Sequence, residues 1–261
     1  MTEESIRFDE IALLITHYNR SSSLERLLNA FEEKHIRFNE IIVSDDCSRA
    51  EHVDYLKKIQ GTFGFKLILA EKNRGLANNI NKGQRAVTSV YTLYVQEDFI
   101  PTDRFLQSLT DGLSFIREDP QIDLVRFYAY EIYPYLKPYK KDFSEMVFHF
   151  WRPNTLQFCC YSDHPHLRRS NFLDKFGNYK EGIHSDVAEF NMAIAFLQKK
   201  GKAVIHNDFQ SIFIQENDDR EPSQIPRKKF RKYLQQTDFL PVKAFRAVYK
   251  NTKFRIQYLF L

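Results

Sequence analysis

Glycine is scarce, with 8 in 261 residues, and tryptophan occurs once. Collagen-like and glycine-rich low-complexity chains need far more glycine, so both classes are excluded. Cysteine is equally sparse: Cys47, Cys159 and Cys160 form no CxxC pair and no metal-ligand spacing. A disulfide framework is thereby excluded, and a reducing, cytoplasmic compartment is the expectation. No run approaches the ~20 apolar residues of a membrane-spanning helix. The acidic start, Met1-Thr-Glu-Glu-Ser, lacks the apolar run of a secretory signal. Apolar and aromatic residues are plentiful, with 43% hydrophobic residues, 24 Phe and 14 Tyr. That is enough to bury a core, so a disordered chain is excluded. The length suits one large domain, or one domain with an appendage.

The net charge of +4 is unevenly spread. From Pro226 to Leu261 there are ten Lys/Arg and one acid, a charge of +9, which leaves −5 on residues 1–225. A mildly acidic body therefore carries a strongly basic tail.

Ile11-Ala-Leu-Leu-Ile is a continuous apolar run, the pattern of a strand buried on both faces. Ser21-Ser-Ser then precedes a helical stripe of Leu24, Leu27, Leu28 and Phe31 and offers hydroxyls to cap it. Glu40-Ile-Ile-Val-Ser, Phe65-Lys-Leu-Ile-Leu and Tyr91-Thr-Leu-Tyr-Val read as further strands. Helical patterns separate them: one after Ser48, which can cap it, with Val53, Leu56 and Ile59, and one from Asn73-Arg-Gly-Leu towards Val87. Four alternations of strand and helix in about 100 residues predict βαβ units and a mainly parallel sheet. Ligands of such sheets bind beyond the carboxyl ends of the strands. The polar clusters Thr16–Arg20, Asp45-Asp46 and Gln96-Glu97-Asp98 each follow a strand directly, so they are expected to converge.

The region 101–200 is less regular. Phe105–Ile116 and Asp186–Lys200 read as helices, and Leu124–Tyr128, Ala203–His206 and Ser211–Ile214 as strands. Residues 131–150, rich in Tyr, Pro and Lys, read as a loop or irregular hairpin, and 216–226 as a polar linker.

Four segments together resemble the ordered motifs of family 2 glycosyltransferases with the GT-A fold: Ile11–Arg20, Glu40–Ser48, Asn73-Arg-Gly-Leu-Ala-Asn-Asn-Ile-Asn-Lys-Gly and Tyr94-Val-Gln-Glu-Asp-Phe. The resemblance covers about 90 residues well and continues more weakly to about 215. It implies an α/β, Rossmann-like domain over residues 1–225, with a nucleotide-sugar-binding half (1–100) and an acceptor half (101–225). It also implies a nucleotide-diphosphate sugar donor, a divalent metal (Mn²⁺ or Mg²⁺), and inversion at the anomeric carbon.

Carried over position by position, Thr16 and Asp46 would hold the base and ribose, with Tyr18, Arg20, Asn73, Gly75, Gln96 and Glu97 completing donor binding. Asp98 would be the metal ligand, since carboxylate oxygen suits Mg²⁺ and Mn²⁺. Two departures stand out: Gln96 replaces the first acid of the family's Asp-x-Asp motif, and Ile80 stands where the family often has Arg. Asp186 matches the position of the general base, and Glu189, one helical turn on, is the alternative. The same Asp-x-x-Glu spacing is also a capping-box pattern. Glu181 and His184 are candidate acceptor contacts.

For the tail, residues 226–261, a basic amphipathic helix on the anionic cytoplasmic leaflet competes with a helix packed on the body. No nucleic-acid motif accompanies the charge. The expected function is transfer of a sugar to a saccharide or lipid-linked saccharide acceptor, in bacterial surface polysaccharide or glycolipid assembly. The alternatives are a non-catalytic sugar-nucleotide or glycan-binding protein on the same fold, and a nucleotidyltransferase. The latter lacks support because Thr16-His-Tyr-Asn-Arg is not a Gly- and Lys-rich phosphate loop.

Overall fold

The structure, a computed structural model, describes residues 5–216 and 240–261, with side chains for 5–216 and 248–261. The expected linker and the cations from Arg227 to Lys232 lie outside these residues.

Strand β1 (Ile6–His17) carries the apolar run predicted for a doubly covered strand, and Ile11–Ile15 are fully buried. It is parallel to β2 (Ile36–Asp45) on one side and β4 (Tyr91–Gln96) on the other. Alternation along the strand divides the core: Leu13 and Ile15 pack into one apolar cluster, and Leu14 into another. The first cluster includes residues of helices α1 (Ser21–Glu33), α2 (Ala50–Phe63) and α4 (Phe105–Glu118). The second lies under α3 (Leu76–Gln84), α5 (Phe172–Phe176) and α6 (Ser185–Gln198). Each fully buried Leu, Ile or Phe adds ~1.5–3 kcal/mol, so both faces hold the sheet.

The sheet continues through β3 (Lys66–Ile68), β6 (Ile122–Arg126), β7 (Leu136–Pro138), β8 (Phe143–Met146), β9 (His166–Arg169) and β10 (Lys202–His206). Its order is β3-β2-β1-β4-β9-β6-β10-β8-β7. It is mostly parallel, but β9 runs antiparallel between β4 and β6, and β8 runs antiparallel to β10. Residues 131–150 thus include the β7–β8 hairpin. A separate two-stranded ribbon pairs β5 (Phe99–Pro101) with β11 (Phe213–Gln215). A short 3-10 helix spans Thr155–Cys159, and helix α7 (Leu240–Phe260) ends the chain.

The expected serine caps are not used. Helix α1 starts after Arg20 and α2 after Arg49, neither with a side-chain cap. Ser21 instead bonds His52, and Ser48 bonds Asp45 and accepts from Asn19 N–H, so both hydroxyls are engaged away from the helix ends. No described helix is long and apolar enough to cross a membrane.

Candidate active site

Three strand ends stand level. Thr16 of β1 is the register partner of Ser44 on β2 and of Gln96 on β4. The chain leaves β1 through a buried cluster in which His17 Nδ1 lies 2.7 Å from Asp45 Oδ1. Arg20 N–H donates to His17 Nε2 (3.2 Å), so the proton sits on Nδ1 and is donated to Asp45. Burial pushes the Asp45 carboxyl up, but hydrogen bonds from His17 and Ser48 outweigh it and hold the group below its ordinary value. Asn19 has φ 54°, a left-handed conformation that Asn tolerates. Its N–H donates to Ser48 Oγ (2.8 Å), and its Oδ1 accepts from Arg49 N–H (2.8 Å). The loops after β1 and β2 are therefore one rigid unit.

Asp46 follows in that unit and is buried. Its Oδ1 accepts from Arg74 N–H (2.9 Å) and its Oδ2 from Gly75 N–H (2.7 Å). Burial raises its pKa, against those two bonds and the nearby Lys82 ammonium. Asn73 Oδ1 also accepts from Gly75 N–H (3.2 Å), and Gly75 has φ 82°, which explains the glycine there. Helix α3 then lies close on the sheet. A Cβ on Gly83 would stand 2.5 Å from Leu14 Cδ1 and 3.0 Å from Ser44 Cβ.

Beyond β4, Glu97 and Asp98 are buried beside Arg20. The guanidinium Nη1 is 3.2 Å from Asp98 Oδ2 and 3.7 Å from Glu97 Oε1. Pairing of β5 with β11 brings Gln215 opposite Phe99, so its amide donates to Asp98 Oδ2 (3.0 Å). Asp98 Oδ1 is buried without a protein partner. No three His, Cys, Asp or Glu side chains among the described residues form a metal cage. The orphaned Asp98 oxygen is a buried carboxylate oxygen without a protein partner, with Glu97 beside it.

Gln215 Oε1 in turn accepts from Tyr130 O–H (2.6 Å). Tyr130 lines a cavity of about 300 Å³ that is also lined by Asp186, Glu189 and Phe190 from the first turns of α6. Asp186 is open to solvent, its side chain 63% exposed. It is not the helix cap, because His184 occupies that position and accepts from Asp186 N–H. Glu189 Oε1 accepts from Asp163 N–H (2.9 Å). The Asp163 carboxylate accepts from Tyr161 O–H (3.0 Å) and Tyr179 O–H (2.9 Å). Burial raises the pKa of Asp163 and Glu189, and the charge of Glu189 adds to the rise at Asp163. His164, also on the cavity wall, is pushed down to about 3 by burial and by Arg126, so it is neutral. Glu181 lies elsewhere, clasping Asn78 (2.7 Å) and Asn81 (2.9 Å) of α3.

Residues 12–176, well over half of the chain, match the family model for glycosyl transferase family 2. The chain belongs to this family. No curated protein matches it. Among solved structures, TarS 1–349 of S. aureus in complex with UDP-GlcNAc aligns with a TM-score of 0.58 at 14% identity, covering 96% of this chain and 71% of that one. A further structure of TarS 1–349 of S. aureus aligns at 0.57 and 17%, covering 78% of this chain and 59% of that one. The mannosyltransferase PcManGT from Pyrobaculum calidifontis, in complex with GDP-Man and Mn²⁺, aligns at 0.55 and 13%, covering 96% and 73%. At these identities the neighbours establish the GT-A fold.

In this family 2 chain, Thr16, Asp46 and Gln96 stand at or next to neighbouring strand ends, and Asn73 and Gly75 lie in the loop before α3. Thr16 is buried with its hydroxyl 3.0 Å from Tyr94 OH, and Tyr18 is half-buried beyond it. Arg20 pairs with the acids of the Asp98 motif, and Asp46 organises the Gly75 turn. Three contributors escaped sequence reasoning: Gln215, Tyr130 and Asp163. Gln215 and Asp163 lie 117 and 26 residues from their partners Asp98 and Glu189, and no local pattern marks such pairs.

Proposed function

We propose that the protein transfers one sugar from a nucleoside-diphosphate donor to a hydroxyl of a saccharide or lipid-linked saccharide acceptor, with inversion. The chain Asp98···Gln215···Tyr130 carries this reading, because it joins the strand-end acids to the cavity that holds Asp186 and Glu189. Donor and acceptor sites then share one mouth. Asp46 keeps free lone pairs on both oxygens and accepts a base N–H. Arg20 brings a fixed cation to the diphosphate, in place of the charge absent at Ile80. The acceptor oxygen attacks the anomeric carbon as the bond to the diphosphate breaks. Asp186 takes the hydroxyl proton, and nucleoside diphosphate leaves.

The side chains fit a divalent ion in one respect, the buried unpartnered Asp98 Oδ1. Asp98, with Glu97, would hold the ion, which would neutralise charge on the leaving diphosphate. Mn²⁺ accompanies the donor in the PcManGT complex. The remaining donor residues do not depend on it.

The C-terminal helix supports a peripheral membrane role on one face only. Asn251, Phe254, Arg255 and Tyr258 turn inward onto the body, while Val248, Tyr249, Ile256, Leu259 and Phe260 stay exposed with Lys250 and Lys253. We assign that outer face to the anionic cytoplasmic membrane surface, where surface polysaccharide or glycolipid is assembled.

The test is calorimetry with UDP and GDP, with and without Mn²⁺, followed by nucleoside-diphosphate release from UDP-GlcNAc and GDP-mannose with a saccharide panel. Release that is lost in Asp98→Ala supports the transferase. Binding without turnover across the panel supports a binding module. Pyrophosphate release from a nucleoside triphosphate and a sugar phosphate supports a nucleotidyltransferase.

A further inference from the structure

Helix α7 is docked against the outer side of the cavity wall. Phe254 packs on Phe190 of α6 (ring centroids 4.3 Å) and on Phe158 of the 155–159 helix (5.6 Å). Tyr258 packs on Phe148 (5.2 Å) and Phe150 (5.4 Å), and its carbonyl accepts from the Gln198 amide (2.7 Å). Arg255 donates to the carbonyls of Trp151 (3.0 Å) and Arg152 (3.2 Å), and Asn251 donates to that of Pro153. These polar contacts from the described part of the helix reach α6 or the segment leading into 155–159.

Those two elements form part of the wall. Phe190, Leu156 and Cys159 line the cavity beside Asp186 and Glu189. Phe190 directly follows Glu189 in sequence. From the inner side, the buried Arg126 guanidinium donates to the carbonyls of Cys159 (2.9 Å) and Tyr128 (3.3 Å) and to Ser162 Oγ. The 155–159 helix is therefore held between Arg126 within and α7 without. Side chains in such a layer are close-packed, so the outer ring sets the position of the inner one.

We propose that α7 is a positioning element of the acceptor site, and that Phe254 fixes Phe190 and hence the stance of the α6 carboxylates towards the cavity. The assignment rests on the transferase reading for its consequence in catalysis, but not for the packing it describes. A misplacement of ~1 Å at reacting groups lowers rates by up to ~100-fold. Phe254→Ala should therefore reduce turnover by ~10-fold or more while leaving the donor half untouched.

The experiment uses the full chain as wild type, Phe254→Ala and Phe254→Leu, the last retaining apolar bulk should the alanine variant fold poorly. Peptide-resolved hydrogen exchange, UDP and GDP affinity, and nucleoside-diphosphate release from UDP-GlcNAc and GDP-mannose are measured on each. The expected result is faster exchange confined to 155–160 and 185–192, unchanged nucleotide affinity, reduced turnover, and partial rescue by leucine. Unchanged exchange in those segments, or exchange raised equally across β1, β2 and α3, overturns the proposal. If the wild type binds neither nucleotide, the transferase reading fails on that ground, while the exchange pattern still decides the role of α7.

Discussion

Arg20→Gln removes the cation that the fold places beside two buried acids. The side chains of Arg20, Glu97 and Asp98 are 7%, 11% and 7% exposed, so water cannot take over the lost charge. Breaking a buried ion pair by deleting one partner costs ~3–5 kcal/mol. Gln215 still donates to Asp98, and glutamine at position 20 retains polar reach, so the lower end, ~3 kcal/mol, is expected. At ~2–4 °C per kcal/mol for a domain of this size, the melting temperature should fall by about 6–12 °C. A second cation can then restore the balance. An ion that binds only the folded state adds RT ln(1 + [L]/Kd), about 1.4 kcal/mol at roughly ten times Kd. In Arg20→Gln the ion no longer shares Asp98 with a guanidinium, so Mn²⁺ should raise the melting temperature more than in wild type. Thermal unfolding with and without Mn²⁺, in the absence of nucleotide, measures both effects. An unchanged melting temperature in the variant, or an equal Mn²⁺ increment in both proteins, would refute the reasoning.

Asp186→Asn should abolish transfer and keep UDP or GDP affinity within about twofold, whereas Glu189→Gln should retain transfer if Asp186 is the base; steady-state kinetics with calorimetry separates them. Burial holds the protons of Asp163 and Glu189 above the ordinary carboxylate range, so the folded state binds more protons than the unfolded one. Their contribution is fully present below about pH 4 and is lost as pH rises through the raised values; urea midpoints from about pH 4 to 8 should fall less steeply in Glu189→Gln. Gly83→Ala should destabilise by about 1–3 kcal/mol in urea unfolding, because its Cβ would meet Leu14 and Ser44 under α3. Phe260→Glu, on the exposed face of α7, should weaken sedimentation with phosphatidylserine vesicles without shifting the melting temperature.

The first hundred residues were legible because their signals are local. A run such as Ile11–Ile15 can only be buried on both faces, and the polar residues that end each strand then share the crevice edge. The region beyond residue 100 was not, and β9 shows why. His166-Leu-Arg-Arg has no strand period, yet it lies in the middle of the sheet with Arg168 fully buried. That burial is met by Gln84, 84 residues away, which accepts from its guanidinium (2.7 Å), and by Tyr161 at 3.4 Å. The tail divided in the same way. Its charge and amphipathic spacing were plain, but which stripe faces the body depended on Phe190 and Phe158 being there to receive Phe254.

The sequence by itself determined the alternating α/β order, the acids at the strand ends and the basic terminus, since each follows from near neighbours along the chain. Only the tertiary structure decided that Arg20 neutralises Asp98, that Gln215 and Tyr130 connect it to the α6 carboxylates, and that α7 backs their cavity. Those contacts satisfy buried charge and apolar surface across long loops, and such partners are chosen by the packed fold rather than by adjacency.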